Sequence, residues 1–292
     1  MFCKKFKIGE CNMVNCWFDY KTVIISGASS GIGKGLVKKL ISEHGCTVIG
    51  IARNETKMKA LVSELGDKAR YFSYYLFDVS DKESWRSFAN DLIEKGIQPD
   101  ILINNAGILP KFNKFGHYSL DYIDRAMQVN FYSNVYSMNV MIPILLKSKS
   151  AGIVNISSSA ALCSLAGTSI YSASKAAVKS MTESIREEYR GRIYVGLVCP
   201  GFTKTDIFHN QNRGDESGLS DKMLDMVSTS CEKMVNDIVN GIWKKKSNMV
   251  FGIDARMMHD STRFFGVLTS KVSSTVIRKA HLEMFKDVFY SE

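Results

Sequence analysis

From residue 21 onward the chain alternates short apolar, β-branched runs with segments of helical period, and that alternation constrains its fold more than any other feature. TVIISG (22–27), CTVIGIA (46–52), YFSYYLFDV (71–79), DILINNAG (100–107), GIVNISS (152–158), IYVGLVCPG (193–201) and NMVFG (248–252) read as strands. Helical patterns fill the intervals: up to Leu40, over 56–65, over 81–95 with Trp85, Phe88, Leu92 and Ile93 along one face, over 119–147 as one long helix, and over 170–190. Strands separated by helices pair in parallel and are covered on both sides. Strands buried on both faces read as unbroken apolar runs, as these do, and right-handed crossovers leave few topologies. The expectation is an α/β chain with a three-layer, doubly wound Rossmann fold and a seven-stranded parallel sheet, forming one domain over 20–254. Residues 1–19 read as an N-terminal extension. Residues 255–292 read as a C-terminal extension that packs on the same domain, covers a substrate pocket as a lid, or touches a membrane surface.

Composition removes several function classes. At 292 residues, with 45% hydrophobic and 23% charged residues, the chain can bury a full core without staples. Its seven cysteines (3, 11, 16, 46, 163, 199 and 231) form no CxxC pair and no cluster with histidine at zinc-finger spacing, so free thiols in a reducing cytoplasm and no metal are expected. The first twenty residues are basic but lack the apolar core of a signal peptide. No run approaches the ~18 apolar residues of a membrane span. The net charge of +9 comes partly from Lys4, Lys5, Lys7 and the run 244–246. It reads as solvated basic faces, or as attraction for an anionic ligand or surface. No recognised module interleaves basic and aromatic residues, so nucleic acid is not an expected partner.

The first strand runs into SGASSGIGKG (26–35). Gly27, Gly31 and Gly33 stand where a strand turns tightly into a helix, so that main-chain N–H groups at the helix N-terminus can hold a pyrophosphate. The spacing is GxxxGxG; it is not a Walker A loop, because Ala28 stands at the first glycine position and Gly35 follows Lys34. At the end of the second strand, where a carboxylate would bind a ribose 2′-hydroxyl, the chain has Ala52 and then Arg53. An arginine there suits a 2′-phosphate and favours NADP(H) over NAD(H), although Glu55 is close by. Arg53 as a plain solvated residue is the competing reading.

In YSASK (171–175), Tyr171 and Lys175 are four residues apart and share a helix face. Such a pair is common on ordinary helices. It also matches a proton-transfer device: a free tyrosine titrates near ~10, and a neighbouring ammonium together with a cationic nicotinamide ring lowers that value toward neutrality. Ser158 ends the fifth strand, where its hydroxyl can hold the oxygen that Tyr171 protonates. Asn104 to Gly107 follow the fourth strand, and Asn130, a weak helix former, sits inside a long helix. All can reach the carboxyl edge of the sheet, where open α/β folds bind ligands.

Taken together, SGASSGIG, Asp78–Val79, NNAG, Asn130, ISS with Ser158, YSASK and PGFTKT (200–205) occur in the order and approximate spacing of the short-chain dehydrogenase/reductase family, which the chain resembles over about 20–255. Ser26 replaces the family's usual threonine and keeps a hydroxyl. The resemblance implies Tyr171 as proton donor and acceptor, Lys175 as the residue that lowers its pKa and binds the nicotinamide ribose, Ser158 as the group polarising the carbonyl, and Asn130 as the helix-distorting residue that anchors a relay water. It implies cofactor contacts at Gly27, Ser29, Ser30, Gly31, Ile32, Gly33, Arg53, Asp78, Val79, Asn105, Ala106 and Gly107. Pro200, Gly201, Thr203 and Thr205 would seat the carboxamide. The implied reaction is hydride transfer between nicotinamide and a carbonyl or secondary alcohol.

Leu109, Ser158, Leu162, Cys163, Leu165, Tyr171, Gly201, Phe202 and Met223 are the expected substrate wall, with Met226 and Val227 beside Met223 on a lid after Thr205. An apolar wall suits a steroid, a bile acid or a fatty carbonyl compound. The helices over 119–147 and 170–190 carry apolar residues on more than one face and are the pair this family uses to form homodimers or homotetramers. A nucleotide-sensing binding protein that keeps the fold is the alternative from another class. An isomerase, dehydratase or epimerase on a nucleotide sugar would ordinarily carry a longer C-terminal domain.

Overall fold

A computed structural model describes residues 17–205, 228–266, 268–281 and 283–290. The expected seven-stranded parallel sheet is present, made of β1 (Thr22–Ser26), β2 (Thr47–Ala52), β3 (Phe72–Leu76), β4 (Ile101–Asn104), β5 (Gly152–Ile156), β6 (Tyr194–Pro200) and β9 (Asn248–Phe251) in the order β3-β2-β1-β4-β5-β6-β9. A small ladder joins β7 (Thr203–Lys204) to β8 (Thr229–Ser230).

The period-2 geometry of a strand explains the unbroken apolar runs. In β1, Val23 and Ile25 enter one core and Ile24 the other. The first core is closed by α1 (Gly31–His44), α2 (Glu55–Leu65) and α7 (Cys231–Trp243), through residues such as Leu36, Leu61 and Ile238. The second is closed by α3 (Lys82–Glu94) and α5 (Ser133–Leu145), with α6 (Ser169–Glu188) alongside; α4 (Leu120–Met127) leads into α5. In α3 the apolar stripe is Trp85, Phe88, Ala89 and Leu92. Ile93, expected on that face, is 55% exposed, because it follows Leu92 by one residue and so turns about 100° away around the helix.

Departures from the sequence reading at the third strand and the long helix have local reasons. The third strand stops at Leu76, and Asp78 instead makes a turn in which its carboxylate accepts from the Ser80 main-chain N–H. The helix over 119–147 is continuous but not uniform. Between α4 and α5 a π-helical turn spans Gln128–Tyr132, centred on Asn130. Side chains repair the ladder that it disturbs: Ser133 donates to the Val129 carbonyl and Asn134 to the Asn130 carbonyl.

After β9 come α8 (Ile253–Phe265), α9 (Leu268–Lys279) and α10 (Lys286–Phe289). Met284, Phe285 and Val288 form a third apolar cluster with Leu109, Phe112, Cys163 and Leu165, so the end of the chain packs beside the carboxyl edge of the sheet. Lys111 and Asp287 pair at 2.6 Å across that contact.

Candidate active site

Strand order places the site. From β1 the chain winds outward through β2 and β3, then returns to β4 on the other side of β1 and winds through β5, β6 and β9. The crevice between the carboxyl ends of β1 and β4 is therefore a topological switch point. It is held by a compact set of hydrogen bonds: the Ser26 hydroxyl accepts from the main-chain N–H groups of Asn105 and Ala106, and the Asn105 amide donates to the carbonyls of Ser26 and Gly27. Glycine is required on steric grounds. Gly27 has φ +68, and a β-carbon there would lie 2.9 Å from Ala106 Cα; at Gly33 one would lie 2.2 Å from the Gly27 carbonyl oxygen.

From this turn a cleft of about 510 Å³ runs along the sheet edge. One end is lined by Gly27, Ser30, Gly31, Ile32, Arg53 and Lys57. Its middle is formed by Asn105, Ala106, Gly107, Ser158, Tyr171 and Lys175, with Pro200, Gly201, Thr203 and Thr205 beside them. The far end is apolar, with Leu109, Phe112, Cys163, Leu165, Phe202 and Met258. The polar middle and apolar end give the cleft two chemically distinct compartments.

α6 carries Tyr171 and Lys175 one turn apart, with the ammonium 5.9 Å from the phenol ring centre. Lys175 is buried and donates to the Ile156 carbonyl at 3.0 Å, while the Ser157 hydroxyl accepts nothing from it but donates to the Lys175 carbonyl at 2.8 Å. These bonds tie α6 to the end of β5. Ser158 caps the short turn that follows β5, its hydroxyl accepting from Ala160 N–H at 3.2 Å. Asn130 is fully buried; its amide donates to the Ile108 carbonyl and to Ser174, and its oxygen accepts from Ile108 N–H at 2.8 Å. It does not line the cleft: it ties the irregular segment after β4 to the second turn of α6, where Ser174 in turn donates to the Tyr171 carbonyl.

Electrostatics follow from depth. Burial pushes the Tyr171 phenol above its ordinary value, and a hydrogen bond with Ser158 works in the opposite direction. Burial also brings the Lys175 ammonium down to about 8. With protein groups alone, the site thus favours a neutral phenol beside an easily deprotonated amine. The lowered phenol value expected from sequence included a cationic ring in its balance, and the protein groups do not produce it by themselves.

Other sequence-derived candidates fall in different places. Asp78 is not on the cleft wall: burial raises its carboxyl, but bonds from Ser80 and Arg125 outweigh that and hold it at about 2. Arg53 reaches the same carboxylate at 3.4 Å from its place in the cleft. Val79 belongs to the core under Trp85, and Leu162 is not among the lining residues. Ser29 opens onto a neighbouring groove with Lys34 and Lys38. Met223, Met226 and Val227, with the lid assigned to their segment, lie outside the described residues. Phe112, Lys57 and Met258 line the cleft without having been singled out. Asp254 was also missed: its buried carboxylate accepts from Phe202 N–H at 2.7 Å and so fixes the wall at Gly201–Phe202. An acid near the start of a helix is too ordinary a signal to have marked it. Among the described residues no group of three histidine, cysteine or acidic side chains is placed to hold a metal.

A glycine-rich switch point that opens toward a serine, a tyrosine and a lysine is the site of a nicotinamide-dependent oxidoreductase fold. The short chain dehydrogenase family model matches residues 21–216, and the chain belongs to that family. It is 33% identical over 187 residues to an NADPH-dependent pterin aldehyde reductase of Arabidopsis thaliana, covering 64% of this chain and 76% of that one. It is 29% identical over 202 residues to 3beta-hydroxysteroid dehydrogenase 2 of Eggerthella lenta, covering 68% and 77%. A short-chain dehydrogenase from Streptomyces avermitilis superposes with a TM-score of 0.71 at 26% identity, covering 88% of this chain and 98% of that one.

Proposed function

We propose that the chain is an NADP(H)-dependent oxidoreductase that interconverts a carbonyl and a secondary alcohol on an apolar substrate. The observation that carries this reading is the joint presence of Ser158, Tyr171 and Lys175 on one cleft wall that begins at the Gly27–Gly31 turn. The residues suit the cofactor: the glycines leave main-chain N–H groups open at the start of α1, and Arg53 and Lys57 supply cations at that end. Bound there, the nicotinamide supplies or accepts the hydride.

The protein's own groups manage the oxygen. In reduction, the Ser158 and Tyr171 hydroxyls both donate to the carbonyl oxygen and polarise it. As the carbon gains a hydride, the C=O π pair moves to oxygen, which takes the Tyr171 proton. Lys175, charged below about pH 8, stabilises the phenolate so formed. Oxidation runs the same proton in reverse. The Asn130 carbonyl, which accepts from the Asn134 side chain at 3.0 Å, is the group assigned to the relay water.

The apolar end formed by Leu109, Phe112, Cys163, Leu165 and Phe202 favours a steroid, bile acid or fatty carbonyl compound, and a relative named for a 3beta-hydroxysteroid supports a cyclic secondary alcohol or ketone. Leu120, Tyr122 and Tyr132 are exposed on the helices proposed to join homodimers or homotetramers. Cys46, Cys163 and Cys199 are buried thiols outside any disulfide, which supports a reducing, cytoplasmic setting.

Tyr171→Phe tests the reading. Turnover of NADPH with a panel of ketones and aldehydes should fall by about 10²–10⁴-fold, while NADPH still quenches protein fluorescence. Retained turnover rejects the role of Tyr171. A wild-type chain that binds NADPH but oxidises it with no carbonyl compound in the panel supports the nucleotide-sensing alternative.

A further inference from the structure

α8 and α9 pack against each other as a hairpin at the end of the fold. Their inner sides are anchored: Ala255 and Thr269 are buried, and Met258 and Ile277 pack on the apolar cluster beside the cleft. Their remaining surface is unusual. Along α8, Ile253, Met257 and Phe264 follow at intervals of four and seven residues; along α9, Leu268, Val272 and Val276 follow at intervals of four. Each set therefore forms one stripe. All six side chains are between 50% and 79% exposed, and Phe265 beside them is exposed as well. Scattered exposed apolar residues are ordinary, but an exposed apolar stripe on each of two helices packed together is an arrangement that marks an interaction surface.

Arg256, Arg263, Lys271, Arg278 and Lys279 are interleaved with these stripes and are all exposed. The two helices carry only two carboxylates. Asp254 is buried against Phe202, which leaves Asp260 as the exposed one. Apolar rows bordered by cations match the surface of an anionic bilayer, where the apolar side chains enter the acyl boundary and the cations meet headgroups. A second copy of the chain matches it poorly, because a twofold contact through this face would set the same five cations against each other. We propose that the α8–α9 hairpin docks the protein on anionic lipid membranes as a peripheral, non-spanning contact. This rests on the hairpin surface alone and holds whatever reaction the cleft performs.

The test uses the full chain and sedimented vesicles of phosphatidylcholine, with or without about one third phosphatidylserine. The wild type should co-sediment with the phosphatidylserine vesicles and much less with pure phosphatidylcholine, and raising the salt should weaken the binding. Two triple variants probe the two components separately. Phe264→Ser with Val272→Ser and Val276→Ser should lower the partition coefficient by at least about tenfold, through lost apolar burial. Arg263→Gln with Lys271→Gln and Arg278→Gln should do so only on phosphatidylserine, at roughly fivefold per charge. All six positions are exposed, and a circular dichroism melt checks that each variant is folded; the wild-type lipid and salt dependence stands without either. The proposal is overturned if the wild type stays in the supernatant, or if both variants bind as it does. It is also overturned if, without lipid, sedimentation velocity shows the apolar variant dissociating a dimer while its vesicle binding is unchanged, since the face would then belong to a second copy.

Discussion

Lys175 links the chemistry of the site to the stability of the fold, and Lys175→Met separates the two. The side chain is only 4% exposed, and burial lowers its ammonium from 10.5 to about 8. That difference of about 2.5 pH units, at about 1.36 kcal/mol each, makes the charged lysine roughly 3 kcal/mol less favourable in the fold than in the unfolded chain. The sign follows from proton counts. Between about pH 8 and 10.5 the unfolded chain binds more protons here than the folded one, so this group's contribution to stability rises with pH across that window. Integrating the two titrations from pH 7 to pH 9 recovers about 1 kcal/mol. Methionine keeps the length and removes the charge, but it leaves the Ile156 carbonyl without its 3.0 Å donor, a loss of about 1–3 kcal/mol. The variant should therefore range from as stable as the wild type to about 2 kcal/mol more stable at pH 7, while turnover falls by about 10²–10⁴-fold. Urea denaturation of both proteins at pH 7 and pH 9 gives the decisive quantity, which is how their stability difference changes with pH. Groups that do not interact with Lys175 cancel in that difference, including Cys46, whose thiol burial pushes up to about 12 and which acts in the opposite direction. The wild type should gain about 1 kcal/mol on the variant between the two pH values. A pH-independent gap would mean that Lys175 carries no buried ammonium, and the account of the phenolate's partner would fail with it.

Further perturbations probe the cofactor end and the supports of the site. Gly33→Ala places a methyl 2.2 Å from a main-chain oxygen, so it should cost about 1–3 kcal/mol in thermal unfolding and abolish NADPH binding. Gly116→Ala, with no atom within 4 Å of the added carbon, should change neither. Asn130→Ala leaves the Ile108 N–H without its 2.8 Å acceptor and frees Ser174, so melting should show a loss of about 1–3 kcal/mol. Turnover should fall as well, because the turn of α6 that carries Ser174 loses its tie. Arg53→Ser should weaken NADPH binding by about ten- to a hundredfold and leave NADH binding nearly unchanged in fluorescence titrations, the effect of one charge-assisted contact. Equal affinity of the wild type for the two cofactors would remove Arg53 from the discrimination.

What could be read from the sequence divides along a physical line. Features set by local period were legible: the inner strands of the large sheet are apolar runs, because a residue on either face of a two-sided sheet meets a core, as Val23 and Ile24 do. Gly27, Gly33, Tyr171 and Lys175 were legible because a tight turn, or a single helical face, fixes their relation within a few residues. Asn130 signalled a disturbed helix by its low propensity, although the form of the disturbance, a π-helical turn with Asn134 returning to its carbonyl, depends on neighbours that no window scan weighs. Features set by distant contact were not legible. Asp78, expected as a cofactor contact, has its carboxylate held by Arg125 from 47 residues away. Asp254 reaches Phe202 across 52 residues, and Phe285 joins Phe112 from the far end of the chain with ring centres 4.8 Å apart. The apolar end of the cleft is therefore the least predictable part of the site, since segments brought together only by the tertiary fold build it. It is also where relatives with the same turn and the same tyrosine–lysine pair can differ in what they accept, because Phe112, Met258 and the Met284–Val288 segment can change without disturbing either.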